Sequence, residues 1–216
     1  MSKGLLIFDL DGTIADTIYS IRDAVNLAMD KYGFERRDYE QIRCAIGNGA
    51  RELIRLSLPE QKRDNADLVD EVLCTYDKLY ATTYDKIDGC YDGMSEAIHV
   101  LKERGYTIAV LSNKQDAYVK KIIVLLFPDG CVSFAAGQRN DLPRKPDPTV
   151  PLMIAEKFAK TPCDCAFIGD SEVDVLTGKN AGMKAVACAW GYRPVDALAD
   201  ADFLISSPME LLEVFK

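Results

Sequence analysis

Apolar positions along the chain change their period twice. Leu5-Leu6-Ile7-Phe8 is an unbroken apolar run ending in acids, the pattern of a strand buried on both faces. From about Thr17 to Tyr32 the period becomes helical: Ile18, Ile21, Ala24, Val25, Ala28 and Met29 recur on one stripe, and Gly33 stops it. Further helices are predicted over Tyr39 to Ile46, Ala50 to Leu58 and Asp64 to Thr82, with Pro59 and Glu60 dividing the last two. No strand pattern occurs between Ala15 and Ile87. Alternation returns at Gly93: a helix to Arg104 closed by Gly105, a strand over Tyr106 to Leu111, and a helix over Val119 to Leu126. There follow a short strand near Val132 to Ala136, a loop from Asn140 to Pro148 and a helix from Thr149 to Ala159. Cys165 to Ile168, Ala185 to Ala189 and Phe203 to Ile205 are predicted strands. Val173 to Ala181 and Pro208 to Phe215 are predicted helices.

This order implies an α/β fold with a Rossmann-like parallel sheet covered on both faces. A helical block after the first strand cannot continue the sheet, so it is expected as an inserted all-helical cap domain. The expected division is 1–15 and 88–216 for the core and 16–87 for the cap, with hinges near Ala15 to Thr17 and Asp85 to Gly93.

The 216 residues suit one large domain, or a core with a smaller insert, and a hydrophobic content of 48% can fill a core. A formal net charge of −8 speaks against nucleic-acid binding, which rests on Lys and Arg patches. No segment reads as a signal peptide or is apolar enough to span a bilayer, so a cytoplasmic protein without membrane contact is expected. The seven Cys are scattered and lack C-x-x-C spacing, and they read as buried reduced thiols rather than disulfides or zinc ligands. His99, the single His, excludes a multi-histidine metal site and reads as a surface or boundary residue of its helix.

The candidate chemistry gathers after predicted strands, at the sheet edge where α/β proteins bind ligands. Asp9 and Asp11 lie two apart on extended chain and face the same neighbourhood. Their repulsion calls for a shared proton or a cation, and Mg²⁺ takes one or two carboxylates plus substrate phosphate. One acid would then attack and the other move protons, although Asp-Leu-Asp-Gly taken alone reads first as ordinary turn chemistry after a strand. Ser112 reads as a phosphoryl-oxygen ligand or as a helix N-cap. Lys145, ahead of Pro146, reads as an aimed cation or as a solvated loop lysine. Asp170 and Asp174 lie four apart at a strand end, where helix-dipole chemistry also favours acids.

Phe8-Asp9-Leu10-Asp11-Gly12-Thr13 resembles the first motif of the haloacid dehalogenase-like phosphohydrolases. Ser112, Lys145-Pro146 and Gly169-Asp170-Ser171-Glu172-Val173-Asp174 resemble the second, third and fourth motifs, in order. The resemblance implies Asp9 as nucleophile, Asp11 as general acid/base, and Ser112 and Lys145 as phosphoryl ligands. It implies Mg²⁺ held by Asp9, the Asp11 carbonyl and Asp170, with Asp174 as ligand or support. Ile46-Gly47-Asn48-Gly49-Ala50-Arg51-Glu52-Leu53, Ser112-Asn113-Lys114 and Gly191-Tyr192-Arg193 are similar to phosphoglycolate phosphatases; Tyr91-Asp92-Gly93 departs from them in lacking a Pro before the Gly. Gly12, Thr13, Asn113 and Arg51 are accordingly expected beside substrate, Arg51 on a carboxylate or second phosphate, or else as a surface residue.

The implied function is a Mg²⁺-dependent phosphatase acting on a small phosphorylated metabolite, 2-phosphoglycolate foremost, through an aspartyl-phosphate. The alternatives are a β-phosphoglucomutase-like phosphomutase, a nucleotidase or pyrophosphatase of the same superfamily, and last a non-enzymatic binding module. A monomer or homodimer is expected.

Overall fold

The computed structural model describes residues 3–216; Met1 and Ser2, which the sequence reading assigns to the core, lie outside the described residues. The chain divides into two compact units. One comprises the residues up to Asp16 together with Gly89–Lys216, the other Thr17–Asp88.

The first unit is built on a sheet of β1 (Leu5–Phe8), β2 (Thr107–Gln115), β3 (Phe134–Gln138), β4 (Cys165–Gly169), β5 (Lys184–Cys188) and β6 (Phe203–Ile205). Its spatial order is β3-β2-β1-β4-β5-β6 with every pair parallel. Parallel neighbours need crossovers, and most are helices: α6 (Asp116–Leu126), α7 (Thr149–Lys157) and α8 (Glu172–Asn180), with α5 (Met94–Glu103) leading into β2. Leu5, Ile7, Ala109, Leu111, Cys165 and Phe167 form one face and pack with Ile154 and Ala155 of α7. Leu6, Phe8, Ile108, Val110, Ala166 and Ile168 form the other and are equally buried. Burial on both faces is why these strands read as continuous apolar runs. Each fully buried Leu, Ile or Phe adds roughly 1.5–3 kcal/mol of hydrophobic stabilisation.

β1 lies at the centre, between β2 and β4, with Phe8 opposite both Val110 and Ile168. The chain ends of three neighbouring strands therefore meet at one edge. This is where the strand order reverses, the usual ligand crevice of such sheets.

The second unit consists of α1 (Ile18–Lys31), α2 (Tyr39–Ala45), α3 (Ala50–Ser57) and α4 (Ala66–Tyr80). Its core is made by helical stripes: Ile18, Ile21, Val25 and Met29 on α1, and Val69, Val72, Tyr76 and Tyr80 on α4. Asp38 and Gln41 close a capping box on α2, and Asn65 caps α4 through the Leu68 N–H. That cap is why α4 starts at Ala66 and not at Asp64.

Three expectations are corrected here. β2 does not stop at Leu111: it runs to Gln115 through a register shift, and pairing with β3 resumes at Gln115 opposite Gln138. Pro208 to Phe215 is not one helix but a 3₁₀ turn, Pro208–Glu210, followed by α9, Leu211–Val214. The thiols are all free, but Cys44, Cys74 and Cys163 are exposed. Cys74 lies two residues past Val72 on α4, on the opposite face from the buried stripe.

Candidate active site

Asp9 leaves the end of β1, and its N–H donates to the Ile168 carbonyl of β4 at 2.8 Å, which ties it to the strand that delivers Asp170. Asp9 is buried, and Lys145 Nζ stands 2.8 Å from its Oδ1. That ion pair is the partner the protein gives to Asp9 Oδ1, which takes no hydrogen bond from a neutral donor. Burial pushes the Asp9 carboxyl up to about 6 against the opposing pull of Lys145, and Asp174 and Asp11 push the same way as burial.

Asp170 follows β4 and is held by two donors, Thr13 Oγ1 at 2.9 Å on Oδ1 and the Tyr192 N–H at 2.7 Å on Oδ2. Burial pushes it up to about 8, followed by the charges of Asp174 and Asp9. Two glycines leave the room it occupies. A Cβ on Gly191 would stand 2.2 Å from the Asp170 Cβ, and one on Gly12 would stand 2.4 Å from Oδ2. Gly12 also has φ +86°, in the left-handed region that glycine tolerates.

Asp174 lies in the first turn of α8, where Ser171 is the N-cap of a capping box. Ser171 Oγ and N–H donate to its Oδ2 at 2.6 and 3.1 Å, and Lys145 Nζ donates to its Oδ1 at 2.7 Å. Both oxygens are thus engaged within the protein. Lys145 is buried by these neighbours: burial works to lower its pKa, but Asp174 and Asp9 outweigh it and drive it above the ordinary lysine range. Its loop is clamped by Asn113, whose Oδ1 accepts from the Lys145 N–H at 2.9 Å and whose Nδ2 donates to the Lys145 carbonyl at 3.1 Å. The Lys145–Pro146 peptide is cis.

Carboxylate oxygens of Asp9, Asp170 and Asp174 come within 4.8 Å of one another. The donors are all carboxylate oxygen, in a space buried from solvent. This set fits a hard divalent cation.

The structure therefore gathers Asp9, Asp11, Ser112, Lys145, Asp170 and Asp174 at one sheet edge. Ser112 is buried, with the Lys114 N–H 3.4 Å from its Oγ, and it is not a helix cap, because α6 begins only after Gln115. The residues expected beside substrate are placed differently. Thr13 spends its hydroxyl on Asp170, and the Gly12 and Thr13 N–H groups donate to Ala15 and Leu10 in their own turn. Asn113 holds the Lys145 loop. Arg51, in the helical unit, pairs through Nε with Asp70 of α4 at 2.8 Å and is half exposed.

Two contributors escaped the sequence reading. Lys114 Nζ donates to Asp11 Oδ1 and Oδ2 at 2.9 and 3.1 Å, although 103 residues separate the two. Tyr192 supplies its N–H to Asp170 and its hydroxyl to Asp16 at 2.9 Å. The Gly191-Tyr192-Arg193 segment was legible as a resemblance, but its contact with Asp170 is made by a backbone group, which carries no residue signature.

A family model described as haloacid dehalogenase-like hydrolase matches residues 6–188. A phosphoglycolate phosphatase of Vibrio parahaemolyticus is 30% identical over 222 residues, covering 97% of this chain and 95% of its own. That of Psychrobacter arcticus is 30% identical over 197 residues, covering 89% and 86%. A solved structure from Lactobacillus delbrueckii subsp. bulgaricus is 28% identical with a TM-score of 0.89, covering 100% of this chain and 99% of that one. A β-phosphoglucomutase of Clostridium difficile shares the fold at 21% identity and TM-score 0.80, over 98% and 93% of the two chains.

Proposed function

The chain belongs to the haloacid dehalogenase-like hydrolase family, and from that membership and the geometry above we propose that it hydrolyses a small phosphomonoester, 2-phosphoglycolate foremost, with Mg²⁺ at Asp9, Asp170 and the Asp11 carbonyl. The observation that carries the reading is Asp9 itself. It is a buried carboxylate at a strand end, met at 2.8 Å by a buried lysine and standing beside a second acid that follows the adjacent strand.

In this reading Asp9 attacks phosphorus and becomes an aspartyl-phosphate. Asp11 gives the leaving oxygen its proton, then takes one from the water that releases phosphate. Lys145 and Ser112 bind phosphoryl oxygens. Asn113 fixes the Lys145 loop, Thr13 and Tyr192 fix Asp170, and Asp174 holds Lys145 in place. When bound, Mg²⁺ supplies charge neutralisation for the transferred group and the nucleophile. Catalysis by this chain's own groups is then mainly positioning and electrostatics.

Leaving-group selection is assigned to the helical unit, with Arg51 as a contact that must first release Asp70. The phosphoglycolate phosphatases at 30% identity support the substrate.

The test is phosphate release with Mg²⁺ from 2-phosphoglycolate, sugar phosphates, nucleoside monophosphates and pyrophosphate, with Asp9→Asn as control. Preference for phosphoglycolate, abolished by EDTA and by Asp9→Asn, establishes the proposal. Turnover that survives Asp9→Asn overturns the mechanism, and turnover that requires a sugar bisphosphate replaces hydrolysis with phosphomutase chemistry.

A further inference from the structure

Away from the acids of the sheet edge, α5 and the loop between α6 and β3 bring together His99, Asp129 and Cys131, whose donor atoms lie within 4.8 Å of one another. The loop turns at Gly130, whose φ is +74°, and the Ser133 N–H then donates to the Ile108 carbonyl near the start of β2. The cluster therefore lies towards the amino-terminal ends of the strands, whereas Asp9 and Asp170 follow carboxyl-terminal ends.

The hydrogen bonds of His99 decide what this cluster needs. Nδ1 is 2.6 Å from the Ser95 carbonyl, which can only accept, so Nδ1 carries a proton. In a neutral ring Nε2 then carries the lone pair. Yet Nε2 faces Asp129 Oδ2 at 2.8 Å, and a carboxylate also only accepts. Two acceptors at that distance require a cation between them, either a proton on the ring or a metal ion. A backbone carbonyl on Nδ1 is also the arrangement that orients a metal-binding imidazole through Nε2.

Cys131 supplies the discriminating ligand. It is buried, and its backbone N–H is 3.4 Å from Asp129 Oδ1, which holds the two residues together at the turn. A nitrogen, a sulfur and a carboxylate oxygen form a mixed set that hard Mg²⁺ does not favour and Zn²⁺ does. Bonds of about 2.0–2.3 Å place the donors of a tetrahedral zinc about 3.3–3.8 Å apart, so Nε2 and Oδ2, now 2.8 Å apart, separate slightly around the ion while Cys131 Sγ, within 4.8 Å of both, stays in reach.

We propose that His99 Nε2, Cys131 Sγ and Asp129 Oδ2 form a binding site for a borderline divalent transition-metal ion such as Zn²⁺, separate from the active-site acids, with its fourth position left to water. Binding releases two protons to solvent, one from the Cys131 thiol and one from the His99 ring. The ion bonds to the thiolate and to Nε2, and Asp129 exchanges the proton it shares with the His99 ring for the metal. Burial, then Asp129, pushes the Cys131 thiol up to about 11, against Lys102, so the metal has to displace that proton. Ser95 and Asp129 hold the ring proton on His99, with Glu103 adding to them, and that proton is displaced likewise.

The test uses the full chain with Mg²⁺ in excess to occupy the hard-acid site, titrated with Co²⁺ as a spectroscopic stand-in for zinc. One equivalent giving a thiolate-to-cobalt charge-transfer band in the near ultraviolet, lost in Cys131→Ser and weakened at least about 10-fold in His99→Gln, is the expected result. His99 is partly exposed, so His99→Gln keeps the test valid if Cys131→Ser fails to fold. Absence of the band overturns the site. So does a band that persists in Cys131→Ser, which would report the exposed thiols, or an affinity unchanged in His99→Gln. None of these readouts depends on turnover.

Discussion

The ammonium of Lys114 bridges both carboxylate oxygens of Asp11, at 2.9 and 3.1 Å, with both side chains largely buried. A group proposed to donate and accept protons is thus held by a cation from the far end of β2. Lys114→Met keeps the stem and removes the charge. It is expected to lower kcat by about 10- to 100-fold, a part of the roughly 10²–10⁴-fold that general acid–base catalysis contributes, and to lower the thermal midpoint, because Asp11 is left as an unpaired, largely buried carboxylate. Steady-state kinetics check this, and an unchanged kcat would show that Asp11 needs no such partner.

Gly191 is expected to resist even the smallest substitution. The Cβ of Gly191→Ala would stand 2.2 Å from the Asp170 Cβ, and Asp170 is already fixed by Thr13 and by the Tyr192 backbone. Overpacking of this kind costs about 1–3 kcal/mol. A fall in the urea midpoint together with weaker Mg²⁺ binding by calorimetry is the predicted pair of results. Wild-type values for both would mean that Asp170 has room to move.

Asn113→Ala removes both side-chain bonds to the Lys145 backbone. A buried N–H and C=O lose their partners, at about 1–3 kcal/mol for an unsatisfied group. Reduced stability should come with a raised KM, because the loop that presents Lys145 loosens. Equilibrium unfolding and kinetics on the same preparation test the pairing of the two effects.

The raised carboxyls predict how metal and protons compete. Asp9 titrates at about 6 and Asp170 at about 8 in the metal-free fold, so both bind protons where an unfolded aspartate, near 3.9, has lost them. Their stabilising contribution is complete below the unfolded value and is lost as pH rises through 6 and then 8. Mg²⁺ must displace these protons. Proton release on binding, from calorimetry in buffers of different ionisation enthalpy, should be substantial near pH 7 and vanish near about pH 9. Release that does not vary with pH would contradict this, as would a melting temperature whose pH dependence in this window is unaffected by Mg²⁺.

The sheet was legible because burial on both faces writes itself as continuous apolar runs: Leu5–Phe8 and Cys165–Gly169 lie where the pattern puts them. Strand β2 was cut short because Ser112, Asn113 and Lys114 look like a turn, whereas tertiary contacts bury Ser112 and Asn113 within the strand's extended end. The acids were legible from their strand-end positions. Their partners were not, since no local period links Lys114 to Asp11, or Gly191 to Asp170. Arg51 stayed open for the same reason: its partner Asp70 lies 19 residues away on another helix.

The arrangement of Asp9, Asp170, Asp174 and Lys145 also sets the valence of what it can hold. With the three carboxylates ionised and the lysine protonated, two negative charges remain uncompensated in a buried space. A divalent ion brings that space to electroneutrality. Sodium or potassium would leave a net anion facing an incoming phosphate, and a trivalent ion would leave an excess positive charge that holds the product. On the proposed reading the lysine would act as a counter-ion that matches the cluster to a +2 guest, and a neutral residue in its place would shift the preference towards higher charge.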